Sequence, residues 1–259
     1  MAWLARWRER TAARAPIEDA DWQQLLRRSR LFARIAPDVL PAWRDLTARF
    51  LADKRFSAAG GQELTADQCL AIAALACLPV LNLGFERLAG WSSVVVYPGE
   101  FRARREHHDE DSGVITEFDE DLIGEAWEAG PLVVSWADVA TDLEHPFDGF
   151  NVVVHEIAHK LDFGDGAMNG VPDLPQGISR RDWIGAMQPA YDALATAVAR
   201  NRPTLIDPYA AESVEEFFAV TSELHFSDSA TLARAAPGVA AMLERYYGPG
   251  MVATGARGR

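Results

Sequence analysis

The chain has 259 residues, 49% hydrophobic and 24% charged, a balance that suits a globular protein with a sizeable buried core. Its net charge of −13 argues against direct nucleic-acid binding, which calls for a basic surface. No apolar run approaches the roughly 18 residues of a membrane span, and two cysteines are too few for a disulfide framework, so a reducing, cytoplasmic setting is expected.

The N-terminus lacks the apolar core of a signal peptide. Trp3, Leu4 and Trp7 share one side of a short helical pattern, with Arg6, Arg8 and Arg10 elsewhere. Such a segment suits a helix docked on its own domain and is short for a membrane-surface helix. Residues 1–60 read as helical, with apolar residues at three- and four-residue steps over 19–32 and 37–50. A break at 58–61 precedes a strong helix with Thr65 as its N-cap. Cys69 and Cys77 lie near one face of that helix and read as buried small hydrophobes.

Residues 91–98 and 130–136 are rich in β-branched and aromatic residues and read as strands. Between them lie acidic runs and the adjacent His107 and His108. Neighbouring side chains on a strand face opposite ways, so these two make a poor ligand pair. His145 precedes a proline, in a loop leading to the next helix.

That helix carries the chemistry. Asn151-Val-Val-Val-His155-Glu156-Ile-Ala-His159-Lys-Leu-Asp162 contains His-Glu-x-x-His. On a helix, positions i and i+4 lie on one face, so His155 and His159 can point at a single metal ion. Glu156 projects beside them and can take a proton from a water held at the metal, as in zinc metalloproteases. The flanking residues are apolar nearly all round, which predicts burial. Buried imidazoles then need partners, and a metal supplies them. Asn151 is the expected N-cap, Gly164 the expected helix end, and Asp162 a candidate hydrogen-bond partner for a ligand imidazole. The glycine- and proline-rich loop over 163–181 leaves this helix directly and is expected to border a substrate cleft and to move.

A catalytic zinc takes three protein ligands. Two candidates exist for the third. Asp165 is local, ten residues after His155. Glu216 is distal, in a second apolar helix with Phe217, Phe218, Val220, Thr221 and Leu224 at helical spacing. A carboxylate beside a buried aromatic pair wants a cation. Residues 183–200 form a further amphipathic helix, 203–208 a connector, and 239–247 a last helix.

His155-Glu156-Ile-Ala-His159-Lys-Leu-Asp162, followed by Tyr209 and then Glu216-Phe-Phe-Ala-Val, resembles the Mlc titration factor A family of zinc-dependent peptidases. The likeness extends to residues 64–81 and 130–139, and the metal site is similar to that of the anthrax lethal factor protease domain. Ile157 stands where enterobacterial members are expected to carry an aromatic residue. The resemblance implies Zn²⁺ held by His155, His159 and Glu216, with Glu156 as catalytic base and Tyr209 as a catalytic auxiliary facing the attacked carbonyl. It also implies that the 130–136 strand lies along the cleft, where it can hold an extended peptide.

The expected fold is α+β and zincin-like: a small, mixed, partly antiparallel sheet over the metal helix, wrapped by N- and C-terminal helices. The expected division is an N-terminal helical region over 1–60, a catalytic domain over 61–252 and a disordered tail over 253–259. The expected activity is gluzincin-type hydrolysis of peptide or protein substrates, with aminopeptidase action as one form; Glu212, Glu215 or Asp165 would then hold the free amine. The competing expectation is a regulatory protein that sequesters a transcriptional repressor.

Overall fold

The structure, a computed structural model, describes residues 17–61, 63–99 and 130–248. The N-terminal Trp3–Trp7 pattern, His107, His108, the acidic runs and the 253–259 tail lie outside these residues. The elements in order are α1 (Asp19–Arg28), a 3₁₀ turn (Phe32–Arg34), α2 (Leu40–Asp53), β1 (Arg55–Ala58), α3 (Ala66–Cys77), a 3₁₀ turn (Phe85–Leu88), β2 (Ser93–Tyr97), β3 (Leu132–Ser135) and α4 (Trp136–Glu144). They continue with α5 (Val152–Asp162), a 3₁₀ turn (Phe163–Asp165), α6 (Arg180–Ala199), a 3₁₀ turn (Pro208–Ala211), α7 (Val214–Ser227), α8 (Ser229–Ala235) and α9 (Pro237–Tyr247).

The three described strands run in the order β1-β2-β3, and both pairings are parallel. Among the described residues the sheet is therefore parallel, where a partly antiparallel, mixed sheet was expected. Parallel neighbours need a long crossover, and between β1 and β2 the whole of α3 supplies it. The register stacks Phe56, Val94 and Leu132 in one row and Ala58, Val96 and Val134 in the next. Val94, Val96, Leu132 and Val134 are buried, so the alternation of each strand aims this face at the core.

Other departures from the sequence reading are local. Residues 55–58 form a strand rather than helix, because only Phe56 in that stretch is buried and four residues carry too short a pattern to read. Trp136 opens α4 rather than ending β3, since Ser135 caps the helix by accepting from the Asp138 amide at 3.2 Å. Gly166, at φ +90°, makes the left-handed turn after α5, two residues beyond the glycine expected to do so.

α3 lies between α2 and α5 and is apolar around its circumference, as a fully internal helix must be. Thr65 and Gln68 close a capping box at its start. Both cysteines are buried on it, and burial pushes the Cys69 thiol up to about 12. Trp43 of α2 donates from Nε1 to the Ala74 carbonyl at 2.9 Å and meets the rings of Trp22 and Phe32. The N-terminal helices therefore share one continuous core with the rest of the described chain.

Two polar side chains within this core carry unusual loads. Lys54 is 2% exposed. Its ammonium donates to the carbonyls of Leu88 and Trp91, each at 2.6 Å, and lies 2.9 Å from the Asp53 carboxylate. It thereby fixes the turn that feeds β2. His225 lies near the end of α7 against Phe226 and Tyr247. Its Nε2 is buried and makes no hydrogen bond.

Lys54→Met keeps most of the volume but leaves two buried carbonyls without a donor, and should lower the free energy of unfolding by about 2–4 kcal/mol in urea titration. For His225, burial holds the imidazole down at about 4, against an ordinary value of 6.5. As pH falls from 6.5 to 4 the unfolded chain takes a proton that the folded chain refuses, so stability is lost over that window. In metal-free protein His225→Phe should remove about 3 kcal/mol of that acid-side loss; identical stability–pH slopes for variant and wild type would refute it.

Candidate metal centre

α5 begins at Asn151, whose side chain accepts from the Val154 amide at 3.0 Å. Two further amides at this end meet carboxylates. Asp142 of α4 accepts from Val152 N at 2.7 Å, and Glu223 of α7 accepts from Asn151 N at 2.6 Å. Helix starts leave amides without intrahelical partners and carry partial positive charge, so buried carboxylates are well placed there.

One turn in, His155 and His159 are both buried, at 7% and 8% exposure. Their Nε2 atoms face each other 3.1 Å apart. α7 packs along α5 and brings Glu216 against the pair. Glu216 Oε2 lies 3.1 Å from His155 Nε2 and 3.4 Å from His159 Nε2. The ligand atoms of these three residues all lie within 4.8 Å of one another. Among the described residues they form a group able to hold a metal ion.

The local sequence explains how Glu216 comes to be there. Ser213 caps α7 by accepting from Glu216 N at 3.2 Å. Ser-x-x-Glu usually closes a reciprocal capping box. Here Glu216 turns toward the histidines instead, and only the serine half forms.

Opposite charges are held together within the cluster. Burial works against a charge on His155, but Glu223, Glu216 and Glu156 outweigh it and raise the imidazole to about 10. Burial likewise opposes a charged Glu216, yet the adjoining His155 and His159 hold its carboxyl well below the usual range. Glu216 Oε2 is itself buried and makes no hydrogen bond. Two facing imidazole nitrogens and a bare carboxylate oxygen are the donor set of a metal site of the zinc type, so the residues fit a metal ion.

Glu156 is half-buried and close enough to His155 to add to its basicity. Tyr209 sits on the Pro208–Ala211 turn, which Asp207 shapes by accepting from Tyr209 N at 2.9 Å. Its ring centre is 6.2 Å from that of His155, with 34° between the planes. The structure thus gathers His155, Glu156, His159, Tyr209 and Glu216 in one place. Asp165 closes the turn after α5, and its side chain lies outside the described set. His145 is exposed at the end of α4.

Asp162 is fully buried, but its hydrogen bonds go to the amides of Asn169, at 3.1 Å, and Gly170, at 2.8 Å. The expected bond to a ligand imidazole is not among them; Asp162 Oδ1 and His159 Nδ1 both lack hydrogen bonds. Burial raises the Asp162 carboxyl to about 6 against the pull of the Gly170 amide and the His159 charge. The loop after α5, expected to move, is tied at several points. Trp183 Nε1 donates to the Gly170 carbonyl at 2.7 Å, Arg87 pairs with Asp173, and Arg245 donates to the Gly177 carbonyl at 2.7 Å. Gly170, at φ +71°, lies so close to α7 that an added Cβ would stand 2.7 Å from the Val214 carbonyl oxygen.

The sequence reading did not single out Asp142 or Glu223. Glu223 Oε1 is 2.8 Å from His155 Nδ1 and the residue is 2% exposed. Its signal was present: a carboxylate seven residues beyond Glu216, on the same face of the helix.

Comparison with known proteins agrees with this geometry. The chain is 38% identical over 210 residues to Mlc titration factor A of Klebsiella pneumoniae strain 342, covering 80% of this chain and 77% of that one. Mlc titration factor A of Salmonella gallinarum is 36% identical over 186 residues, covering 70% and 68% respectively. An uncharacterized protein of Synechocystis sp. is 36% identical over 247 residues, covering 95% and 89%. Residues 3–248 match a family described as glucose-regulated metallo-peptidase M90, and the chain belongs to that metallopeptidase family.

Proposed function

We propose that this protein is a zinc-dependent peptidase with a zincin-like active site. The observation that carries the reading is the buried convergence of His155 Nε2, His159 Nε2 and a Glu216 carboxylate oxygen, with Glu156 beside them. Two imidazoles and one carboxylate suit Zn²⁺ and leave a position open for chemistry. A bound zinc would supply Lewis acidity, polarising a carbonyl and making water a stronger nucleophile near neutral pH.

The chain's own residues then divide the work. His155, His159 and Glu216 hold the ion. Glu156 takes the proton of the attacking water and passes it to the leaving amine. The Tyr209 phenol, on a turn packed against His155, donates to the oxygen on which negative charge develops. β3 is an outer strand of the described sheet and packs against α5, which suits it to hold an extended peptide by main-chain hydrogen bonds. None of the helices among the described residues is long and apolar enough to cross a membrane.

A second reading, sequestration of a transcriptional repressor, is favoured by the name Mlc titration factor A that several relatives carry. The two readings are compatible, since a partner surface need not include the metal cluster. Repressor capture that persists in Glu156→Gln would separate binding from hydrolysis.

Elemental analysis should find about one zinc per chain in wild type and little in Glu216→Ala. Glu156→Gln should keep its zinc and lose at least about 10²-fold in kcat on a peptide library. Cleavage confined to peptides with a free N-terminus would identify an aminopeptidase; cleavage of blocked peptides would identify an endopeptidase. A wild type that carries no zinc and takes up none would sink the peptidase reading.

A further inference from the structure

We infer that Glu223 is a positioning residue that selects the metal-binding tautomer of His155 and at the same time fixes the start of the helix that carries it. The inference rests on the metal-centre reading above and concerns a residue to which that reading gives no part.

Both oxygens of Glu223 are in use. Oε1 is 2.8 Å from His155 Nδ1, and Oε2 accepts the Asn151 amide at 2.6 Å. A carboxylate only accepts, so the proton in the first contact belongs to the imidazole Nδ1. A neutral imidazole with its proton on Nδ1 presents a bare lone pair at Nε2. Nε2 is the atom that faces His159 Nε2, at 3.1 Å, and Glu216 Oε2, at 3.1 Å. The carboxylate thus turns the lone pair of His155 into the cluster.

The second hydrogen bond makes this a geometric device as well as an electronic one. Asn151 is the N-cap of α5, and its own side chain holds Val154 N at 3.0 Å. One carboxylate therefore grips the N-cap amide of the metal helix and the first imidazole upon it. Glu223 is 2% exposed, so water does not compete for either bond. It stands seven residues after Glu216, two turns along one face of α7. The same helix face supplies the third donor of the cluster and the acceptor that orients the first. Among the described residues His159 has no such partner, because its Nδ1 is buried without a hydrogen bond. Orientation of the cluster from outside is concentrated on His155.

Glu223→Gln isolates the role. A glutamine has one acceptor oxygen for two donors. With that oxygen on Asn151 N–H, its amide NH₂ faces His155 and favours an imidazole whose proton sits on Nε2, where it blocks the metal. Zinc affinity should be measured by chelator competition alongside wild type and Glu216→Ala, with thermal melting of the metal-free proteins as a control. The expected result is a 10- to 100-fold loss of zinc affinity in Glu223→Gln with metal-free melting close to wild type. Unchanged affinity in a folded Glu223→Gln protein overturns the inference and leaves the metal centre standing. A wild type that binds no zinc overturns both. Should Glu223→Gln fail to fold, zinc-loaded wild type decides by NMR. A strongly downfield, slowly exchanging His155 Nδ1 proton supports the role, and a rapidly exchanging one refutes it.

Discussion

Two carboxylates on one face of α7 meet two histidines on one face of α5, and the interior of the protein is arranged around the meeting of these four groups. Placed singly in an apolar core, each would be a strong destabilising influence. Together they alternate in sign and in donor and acceptor character. Glu223 accepts a hydrogen bond from the outer side of His155, while Glu216 lies against the inner side, where the imidazoles converge. The arrangement explains why α5 and α7 pack along each other so closely, and why the start of α5 is lined with acceptors rather than apolar side chains.

Everything else holds these two helices in register. α3 fills the space behind α5 with small and medium apolar side chains, and α2 covers α3 in turn. The sheet rests its buried rows against the same core. On the far side of α7, Trp183, Phe218, Tyr246 and Tyr247 form an edge-on and stacked aromatic group, and the Tyr247 hydroxyl is 2.9 Å from that of Ser222. The loop after α5 is fastened by Asp162, Trp183, Arg87 and Arg245 to four different helices or turns. What seemed from its glycines and prolines to be a loose border is, in its central part, a strut between α5 and α6.

The metal helix was legible because it carries two signals at once. Its His-Glu-x-x-His spacing is chemistry, and its apolar circumference is burial. Glu216 was legible only with help from a resemblance, since the local residues left Asp165 and Glu216 both open. Its place in a capping-box pattern disguised it further: by local rules that side chain belongs at Ser213. Glu223 and Asp142 escaped because their task is to serve another element's backbone, and no local pattern announces a partner 72 or 10 residues away. The sheet direction escaped for a similar reason. β1 is four residues long with one buried side chain, so the β1-α3-β2 crossover could not be seen as a unit. Asp162 shows the converse error. Its position one turn after His159 suggested an imidazole partner, but two amides of the following loop were nearer claimants.

The separation of the pieces along the chain has a consequence for biosynthesis. Asp142 precedes α5, and Asn169 and Gly170 follow it closely, so the partners of Val152 N and Asp162 are available almost as soon as the helix leaves the ribosome. Glu216 and Glu223 are not: roughly sixty residues separate His155 from Glu216. At about 5–20 residues per second, the nascent chain displays its two histidines for about 3–12 s before the first of those carboxylates exists. During that interval the two imidazoles lack the carboxylate that completes the cluster. Assembly of the three-donor cluster therefore waits until α7 has been made and has docked, which ties completion of the site to near-completion of the fold.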